Sequence, residues 1–194
     1  MIDASVIINL NATRLAAEIL SALPSEFVVA RQVAVELEVG RSVGRTDAEL
    51  LARLVASGAT RIVDLGLVGA RVFEELVCGD GPATLDDGEA ATIGYAIETG
   101  GLPVFDEKKA HSICRNRYQQ VTPVTSVDLL AHETVHASLG HETMVAAVYD
   151  ALQIGRMNVL PHCVDWVVEL IGRERAANCR SLSKALRAKL AKAE

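Results

Sequence analysis

The sequence lacks the features that mark membrane-bound and secreted proteins. None of its apolar runs approaches the roughly 20 residues of a transmembrane helix. The chain opens as Met1-Ile2-Asp3, without the basic and apolar regions of a signal peptide. Its four cysteines lie far apart and form no CxxC pair, which argues against a zinc knuckle and favours reduced thiols. We therefore expect a cytoplasmic protein that does not associate with membranes.

Charge is unevenly distributed along a chain that can form a sizeable core. Half of the 194 residues are hydrophobic and 23% are charged, so wholesale disorder is excluded. The formal net charge is −6, but residues 173–194 carry +5 and the other 172 residues carry −11. Such an acidic body repels phosphate at long range. It could act on nucleic acid only if divalent cations neutralised part of its surface.

Short apolar runs alternate with amphipathic segments over the first 130 residues. The candidate strands are residues 27–29, 61–63, 102–105 and 121–124. The candidate helices are residues 12–23, 33–39, 47–57, 68–77, 88–99 and 108–117, and residues 79–82 predict a loop. This alternation predicts a mainly parallel central sheet with helices on both faces, which is a three-layer α/β/α fold.

After Thr125 the sequence signals are almost entirely helical. Ser126 is predicted to cap a helix over residues 127–136, and helices over 142–154 and 162–171 follow. In the basic tail, leucines recur every four residues at positions 182, 186 and 190. This spacing predicts an amphipathic helix with an apolar stripe that suits a partner protein. We therefore divide the chain into an α/β domain over residues 1–140 and a helical extension over residues 141–194.

Carboxylates occur at four of the predicted strand–helix junctions. Open α/β sheets bind ligands beyond the carboxyl ends of their strands, so these side chains can face one cleft. The four acids are Asp3 after a very short first strand, Glu36, Glu89 in the first turn of its helix, and Asp106 directly after residues 102–105. Asp86 and Asp87 are predicted to be capping residues of the helix that contains Glu89.

Clustered carboxylates favour a bound cation. They repel one another and their burial raises their pKa values, and a divalent cation reverses both effects. Oxygen ligands suit Mg²⁺ or Mn²⁺, which also bind substrate phosphate and activate water. The sequence therefore predicts metal-dependent phosphodiester hydrolysis.

Five segments occur together in the order and spacing of a known family. They are D-A-S-V-I-I at 3–8, V-A-V-E-L at 33–37, L-D-D-G-E-A-A-T-I-G-Y-A at 85–96, V-F-D-E-K-K-A at 104–110 and V-T-S-V-D-L-L at 124–130. In these segments the chain resembles PIN-domain nucleases over roughly residues 1–135. The resemblance extends to the toxin-like ribonucleases of bacterial and archaeal toxin–antitoxin systems.

The resemblance implies a domain that binds Mg²⁺ or Mn²⁺ and cleaves RNA. It also implies an antitoxin protein and a second copy of the chain as partners. Carried over position by position, the catalytic and metal-binding carboxylates are Asp3, Glu36, Glu89 and Asp106, and Ser5 orients Asp3 or a bound water. Three features depart from the family pattern. Only two residues precede Asp3, so we expect either a shortened first strand or a start further upstream. Glu107 replaces a second Asp, and Ala110-His111 replace an expected Arg.

Basic residues follow Asp106 on the predicted helix 108–117. Lys108, Lys109 and Arg115 could contact substrate phosphates near the cleft, and a solvated helix face explains them equally well. His111, on the same helix, and His162 are interpreted as surface or boundary histidines.

Two other classes of function remain open. Residues 132–136 match H-E-x-x-H, which on a helix places two imidazoles on one face beside a general-base Glu. A zinc metallopeptidase using His132, Glu133 and His136 is therefore one alternative, although Gly140 and His141 miss the positions of the extended motif. The other is a PIN-like module that binds RNA or protein without cleavage, which Glu107 and the missing Arg suggest.

Overall fold

The structure is a computed structural model that describes residues 1–79 and 84–192. Most of the loop predicted at 79–82 lies outside the described residues. The chain forms two compact units: the first comprises Met1–Ile7 and Ser25–Val124, and the second comprises Ile8–Pro24 and the chain from Thr125 onward. Within the described ranges, no helix is both long and apolar enough to cross a membrane.

The sheet of the first unit is small and parallel. Strand β1 (Val28–Ala30) pairs with strand β2 (Arg61–Val63), with Val28 opposite Arg61 and Ala30 opposite Val63. The residues of β1 are fully buried, whereas β2 is exposed over its first two residues. Both strands match the predicted positions within one residue.

Three further extended segments continue this parallel arrangement. Single parallel bridges join Ile2 to Val104 and Val104 to Val124, and the Ile2 N–H donates to the Val28 carbonyl at 2.9 Å. The predicted strands 102–105 and 121–124 are therefore reduced to one paired residue each. Prolines at 103 and 123 lack an N–H group, which prevents a longer ladder on either side. The α/β class is confirmed, and the three-layer arrangement stays a prediction.

Six α-helices begin in the described part of the first unit. They are α1 (Ala4–Ala12), α3 (Arg31–Arg41), α4 (Asp47–Ala56), α5 (Leu67–Val77), α6 (Asp87–Thr99) and α7 (Lys108–Arg117), with α2 (Ala16–Ala22) following α1 in the second unit. The prediction missed α1, because the β-branched run Val6-Ile7-Ile8 has low helix propensity. Helix α1 starts directly after Asp3, whose carbonyl accepts the Ile7 N–H at 3.2 Å.

Helix α6, which carries Glu89, is held closely against α5. A Cβ added to Gly94 of α6 would lie 2.5 Å from the Gly69 carbonyl oxygen of α5, so the two helices meet backbone to backbone. Glu98 of α6 accepts the Gly66 N–H at 2.7 Å and the Val68 N–H at 3.3 Å, which caps the start of α5. Apolar side chains that include Leu76, Leu85, Ile93, Phe105 and Ile113 form the adjoining core.

The described part of the second unit contains short helices and no strand. After α2 these are α8 (Ser126–Leu130), α9 (Glu133–Leu139), α10 (His141–Gln153), a 3-10 turn (Pro161–Cys163), α11 (Val164–Ile171), α12 (Arg173–Asn178) and α13 (Lys184–Ala191). The single helix predicted over 127–136 is therefore two helices. Thr125, rather than Ser126, caps α8, through a capping box with Asp128.

The basic tail is not the single amphipathic helix that the leucine spacing predicts. Leu182 lies between α12 and α13 and is only 3% exposed, so it belongs to the core of this unit. Leu186 and Leu190 lie on α13 and are partly buried. The division of the chain at residue 140 remains a prediction.

Candidate metal centre

Asp3 presents one carboxylate oxygen that is held in place and one that is available. The Ser5 hydroxyl and the Ser5 backbone N–H donate to Asp3 Oδ2 at 2.9 and 3.3 Å. Asp3 is 5% exposed, and its Oδ1 is buried without a hydrogen-bond partner among the described residues. Burial raises the pKa of Asp3, and repulsion from Asp86 adds to the increase, while the hydrogen bonds from Ser5 oppose it.

Gly88 lies beside the available oxygen of Asp3 and next to a second carboxylate. A Cβ at Gly88 would lie 2.8 Å from Asp3 Oδ1 and 2.6 Å from Glu36 Oε2. These two oxygens, which come from the start of α1 and from α3, therefore share one small space at the first turn of α6. A side chain at position 88 would fill that space, and only glycine leaves it open.

Glu89 contributes a third buried carboxyl group at the start of α6. Its backbone N–H donates to Oδ1 of the capping residue Asp86 at 3.0 Å, which confirms the predicted cap. The residue is 6% exposed. Burial, followed by repulsion from Asp86, Asp3 and Glu107, raises the pKa of Glu89 to about 8. At neutral pH the metal-free protein therefore holds a proton on much of this group.

Glu36 is an exposed residue whose carboxyl group points at the acidic cluster. Partial burial of this group, followed by repulsion from Asp3 and Asp86, raises the pKa of Glu36 to about 7, although Arg45 acts in the opposite direction. The pKa values of Asp3, Glu36 and Glu89 are thus all raised, and each is raised in part by the others or by Asp86. This pattern indicates negative charge that the surrounding residues do not neutralise.

Asp106 follows the extended segment that pairs with the segment before Asp3. The Asp3 N–H donates to the Val104 carbonyl at 3.0 Å, and the Phe105 N–H donates to the Val124 carbonyl at 3.1 Å. Asp106 is 2% exposed and comes one residue after Phe105. Asp3 and Asp106 therefore lie at the same ends of neighbouring parallel segments, as the strand-end argument expects.

This arrangement fits a hard divalent cation. In the part of the chain that the structure describes, Asp3 Oδ1 is buried and lacks a hydrogen-bond partner, and Glu36 Oε2 lies beside it. A cation would relieve the repulsion that raises the three pKa values. Among the described residues, the acids do not bring three donor atoms within 4.8 Å of one another. Mg²⁺ and Mn²⁺ bind through one or two carboxylates and retain several waters, so the two oxygens beside Gly88 can serve as the first ligands.

The supporting residues predicted from the sequence differ in their placement. Ser5 contacts Asp3 directly. Glu107 is exposed at the residue before α7 and contributes to the raised pKa of Glu89. Lys108, Lys109 and Arg115 are exposed on α7. The structure therefore connects Ser5 and Glu107 with the cluster, and leaves the three basic residues at the surface.

The H-E-x-x-H segment does not form the helix that zinc binding requires. Helix α9 begins at Glu133, and His132 is its capping residue, with Nδ1 accepting the Thr134 N–H at 3.3 Å. One histidine of the motif is therefore outside the helix, and its ring is used for capping. The described residues contain no compact group of metal ligands that includes His132 or His136. This arrangement does not support a zinc peptidase.

Two residues near the acids have roles that sequence reasoning missed. His111, interpreted as a surface or boundary residue, is buried, and its Nε2 lies 2.9 Å from the Phe105 carbonyl oxygen. Its ring also packs edge-on against Phe105 at 4.9 Å, so it supports the backbone just before Asp106. The role of Gly88 was missed as well, although its place immediately before Glu89 in the L-x-x-G-E segment was a usable signal.

Comparison with known proteins identifies the family. A family model described as a PIN domain matches residues 1–155, which is most of the chain and includes all four acids. No curated protein and no solved structure gives a match. The sequence segments, the parallel α/β core and the acidic cluster agree with the family match. The chain belongs to the PIN-domain family.

Proposed function

We propose that the protein is a metal-dependent endoribonuclease that hydrolyses RNA phosphodiester bonds. PIN domains are typically nucleases. The observation that carries the proposal is the buried Asp3 Oδ1, which has no hydrogen-bond partner among the described residues and lies beside Glu36 Oε2 across Gly88. Asp3, Glu36, Glu89 and Asp106 are the proposed ligands of Mg²⁺ or Mn²⁺.

The chain's own residues would position the ion and the substrate. Ser5 fixes the Asp3 carboxylate so that Oδ1 faces the space beside Gly88. Glu36 and Glu89 would hold the ion in their deprotonated forms, because a cation favours the charged form of each group. When bound, the ion supplies positive charge for the phosphate and lowers the pKa of an attacking water. Catalysis then depends on positioning and charge stabilisation, without a protein nucleophile.

Basic residues near the cluster are suited to bind the RNA backbone. The chain is acidic overall, so phosphate needs local positive charge. Lys108, Lys109 and Arg115 are exposed on α7, which begins two residues after Asp106. We assign these side chains to phosphate contacts, which would hold the RNA without reading its sequence.

Cleavage of single-stranded RNA tests the proposal. Purified protein with Mn²⁺ or Mg²⁺ should cut the RNA, and chelation of the metal should stop the reaction. Asp106→Asn removes one ligand charge and should reduce the rate by at least about 100-fold, the scale of a lost catalytic electrostatic contact. Asp165→Asn, which changes an exposed aspartate in α11, is the matched control and should cut normally.

Intact RNA in the presence of either metal would contradict the proposal and favour the non-catalytic binding module. Full activity of Asp106→Asn would remove that residue from the site.

The toxin role is a further part of the proposal. Expression in cells should arrest growth, and an antitoxin encoded beside the gene should relieve the arrest. A homodimer is also proposed, and light scattering that shows a monomer would refute it.

A further inference from the structure

A second cluster of potential metal ligands lies within the second unit. Asp128 belongs to α8, and His162 and Cys163 belong to the 3-10 turn before α11. One donor atom from each residue lies within 4.8 Å of the other two. His162 Nε2 is 3.8 Å from Asp128 Oδ2, and Cys163 Sγ is 3.9 Å from Asp128 Oδ1. None of these three residues is part of the acidic cluster formed by Asp3, Glu36, Glu89 and Asp106.

Local structure holds the cluster in place before any ligand binds. Asp128 Oδ2 accepts the Thr125 N–H at 2.8 Å and the Thr125 hydroxyl at 2.7 Å in the capping box of α8. The Cys163 N–H donates to the Leu160 carbonyl at 2.9 Å, and Pro161 starts the turn. Helix α8 and the 3-10 turn before α11 therefore place a carboxylate, an imidazole and a thiol within 4.8 Å of one another. Hydrogen bonds of this kind commonly orient metal ligands in proteins.

The donor atoms are those that zinc prefers. Thiolate sulfur and imidazole nitrogen select late first-row metals over Mg²⁺, and a carboxylate oxygen is also a usual zinc ligand. In a tetrahedral zinc site, neighbouring donor atoms lie about 3.3–3.6 Å apart, as its bond lengths require. In the structure His162 Nε2 lies 3.8 Å from Asp128 Oδ2, Cys163 Sγ lies 3.9 Å from Asp128 Oδ1, and one donor atom of each residue lies within 4.8 Å of the other two. The exposed side chains of Asp128 and His162 would both move to bring the donors to zinc-binding distances.

We propose that Asp128, His162 and Cys163 bind one zinc ion that joins the start of α8 to the start of α11. Cys163 binds as the thiolate and releases its proton to the solvent. The side chains of Asp128 and His162 are 41% and 48% exposed, which leaves the ion accessible from solvent. Water would complete the coordination. The ion's role is to stabilise this unit, because it links residues up to 35 positions apart in the chain.

Cobalt titration of the full-length, chelator-treated protein tests the site. One equivalent of the bound Co²⁺ should give a thiolate-to-cobalt charge-transfer band together with tetrahedral d–d bands, and Zn²⁺ should displace it. Cys163→Ser should abolish the charge-transfer band. His162→Ala should weaken binding at least about tenfold. Three variants should keep the wild-type spectrum: Cys78→Ser, His141→Ala, and Asp3→Asn in the acidic cluster.

Two results would overturn the proposal. One is cobalt binding without the charge-transfer band, or no cobalt binding at all. The other is a band that persists in Cys163→Ser or disappears in Cys78→Ser. Because Cys163 is buried, its replacement could disturb folding, so His162→Ala provides a second test at an exposed position. Zinc should raise the Tm of the wild type more than that of His162→Ala at the same zinc concentration.

Discussion

Gly88 and Asp3 show how the candidate site depends on single atoms. Asp3 Oδ2 is held by Ser5, so Oδ1 faces the space that glycine leaves open beside Glu36. Burial of an unpaired carboxylate oxygen is unfavourable unless a proton or a cation accompanies it. Burial of Asp3 Oδ1 beside Glu36 therefore lowers the stability of the metal-free fold, and it provides ligands for a bound metal ion.

Gly88→Ala should separate metal binding from stability. Alanine is favoured over glycine inside a helix by about 1 kcal/mol, but its Cβ would occupy the space beside Asp3 Oδ1 and Glu36 Oε2. We expect Mn²⁺ affinity, measured by calorimetry, to fall at least about tenfold while the fold persists. Gly40→Ala in α3 is the control, because its Cβ would meet only the flexible Arg45 side chain at 3.4 Å. Equal affinities for the two variants would count against the site.

Ser5→Ala should release the Asp3 carboxylate. Without the hydroxyl, the Asp3 carboxylate loses its 2.9 Å contact and keeps hydrogen bonds from the backbone N–H groups of Ala4 and Ser5. We expect a loss of Mn²⁺ affinity of about tenfold, as for other residues that orient a ligand. Ser5→Thr retains the hydroxyl and should restore most of the affinity. If Ser5→Ala binds Mn²⁺ as the wild type does, Ser5 does not position the ligand.

The residues of the candidate site were only partly predictable. Asp3 and Asp106 were found because acids that follow buried extended segments point at a common edge. Asp86 was found as a cap, but its effect on the pKa values of Asp3, Glu36 and Glu89 depends on which helices meet. The L-x-x-G-E segment distinguishes Gly88 from the other 13 of the 14 glycines, but its role depends on the side chains opposite it, which the sequence does not show.

At the scale of elements, close packing of α5 and α6 sets the position of Glu89. Gly94 and Gly69 bring the two backbones together, and Glu98 caps α5. Gly94→Ala should push the helices apart and lower the free energy of unfolding by about 1–3 kcal/mol, the usual cost of overpacking. Urea denaturation measures this change. Gly101→Ala, whose Cβ would meet only the Thr99 side chain at 3.4 Å, should leave stability within about 0.5 kcal/mol.

Helices were predicted better than strands, for physical reasons. The helices at 47–57, 68–77, 88–99 and 108–117 have clear apolar faces, and the structure places α4 to α7 within one residue or two of them. Helix α1 was missed because β-branched residues dominate its first turns. The apolar runs around Val104 and Val124 indicated burial correctly, but pairing there also depends on the prolines beside them and on partners distant in sequence.

At the scale of the whole molecule, the acidic cluster should make stability depend on pH. In the metal-free protein the pKa values of Glu36 and Glu89 rise from 4.5 to about 7 and about 8. The folded state then binds these protons more tightly than the unfolded state. Their contribution is full below pH 4.5 and is lost as the pH rises through 7 and 8.

The free energy of unfolding in chelator should therefore fall between pH 5 and pH 8, by roughly a few kcal/mol for the buried Glu89. Urea titrations across this range measure the decline. Glu89→Gln should flatten it, and Mn²⁺ should reduce it in the wild type, because the ion binds the deprotonated carboxylates. Identical pH profiles for the wild type and Glu89→Gln would show that Glu89 does not hold the extra proton.

Diffraction from a crystal of the wild-type protein soaked in Mn²⁺ would locate the ion relative to the four acids. We expect an anomalous peak about 2–2.5 Å from Asp3 Oδ1, with Glu36, Glu89 and Asp106 facing the ion directly or through water. The peak should be missing in Asp3→Asn crystals soaked in the same way. A peak at saturating Mn²⁺ that lies away from these acids, or no peak at all, would contradict the account.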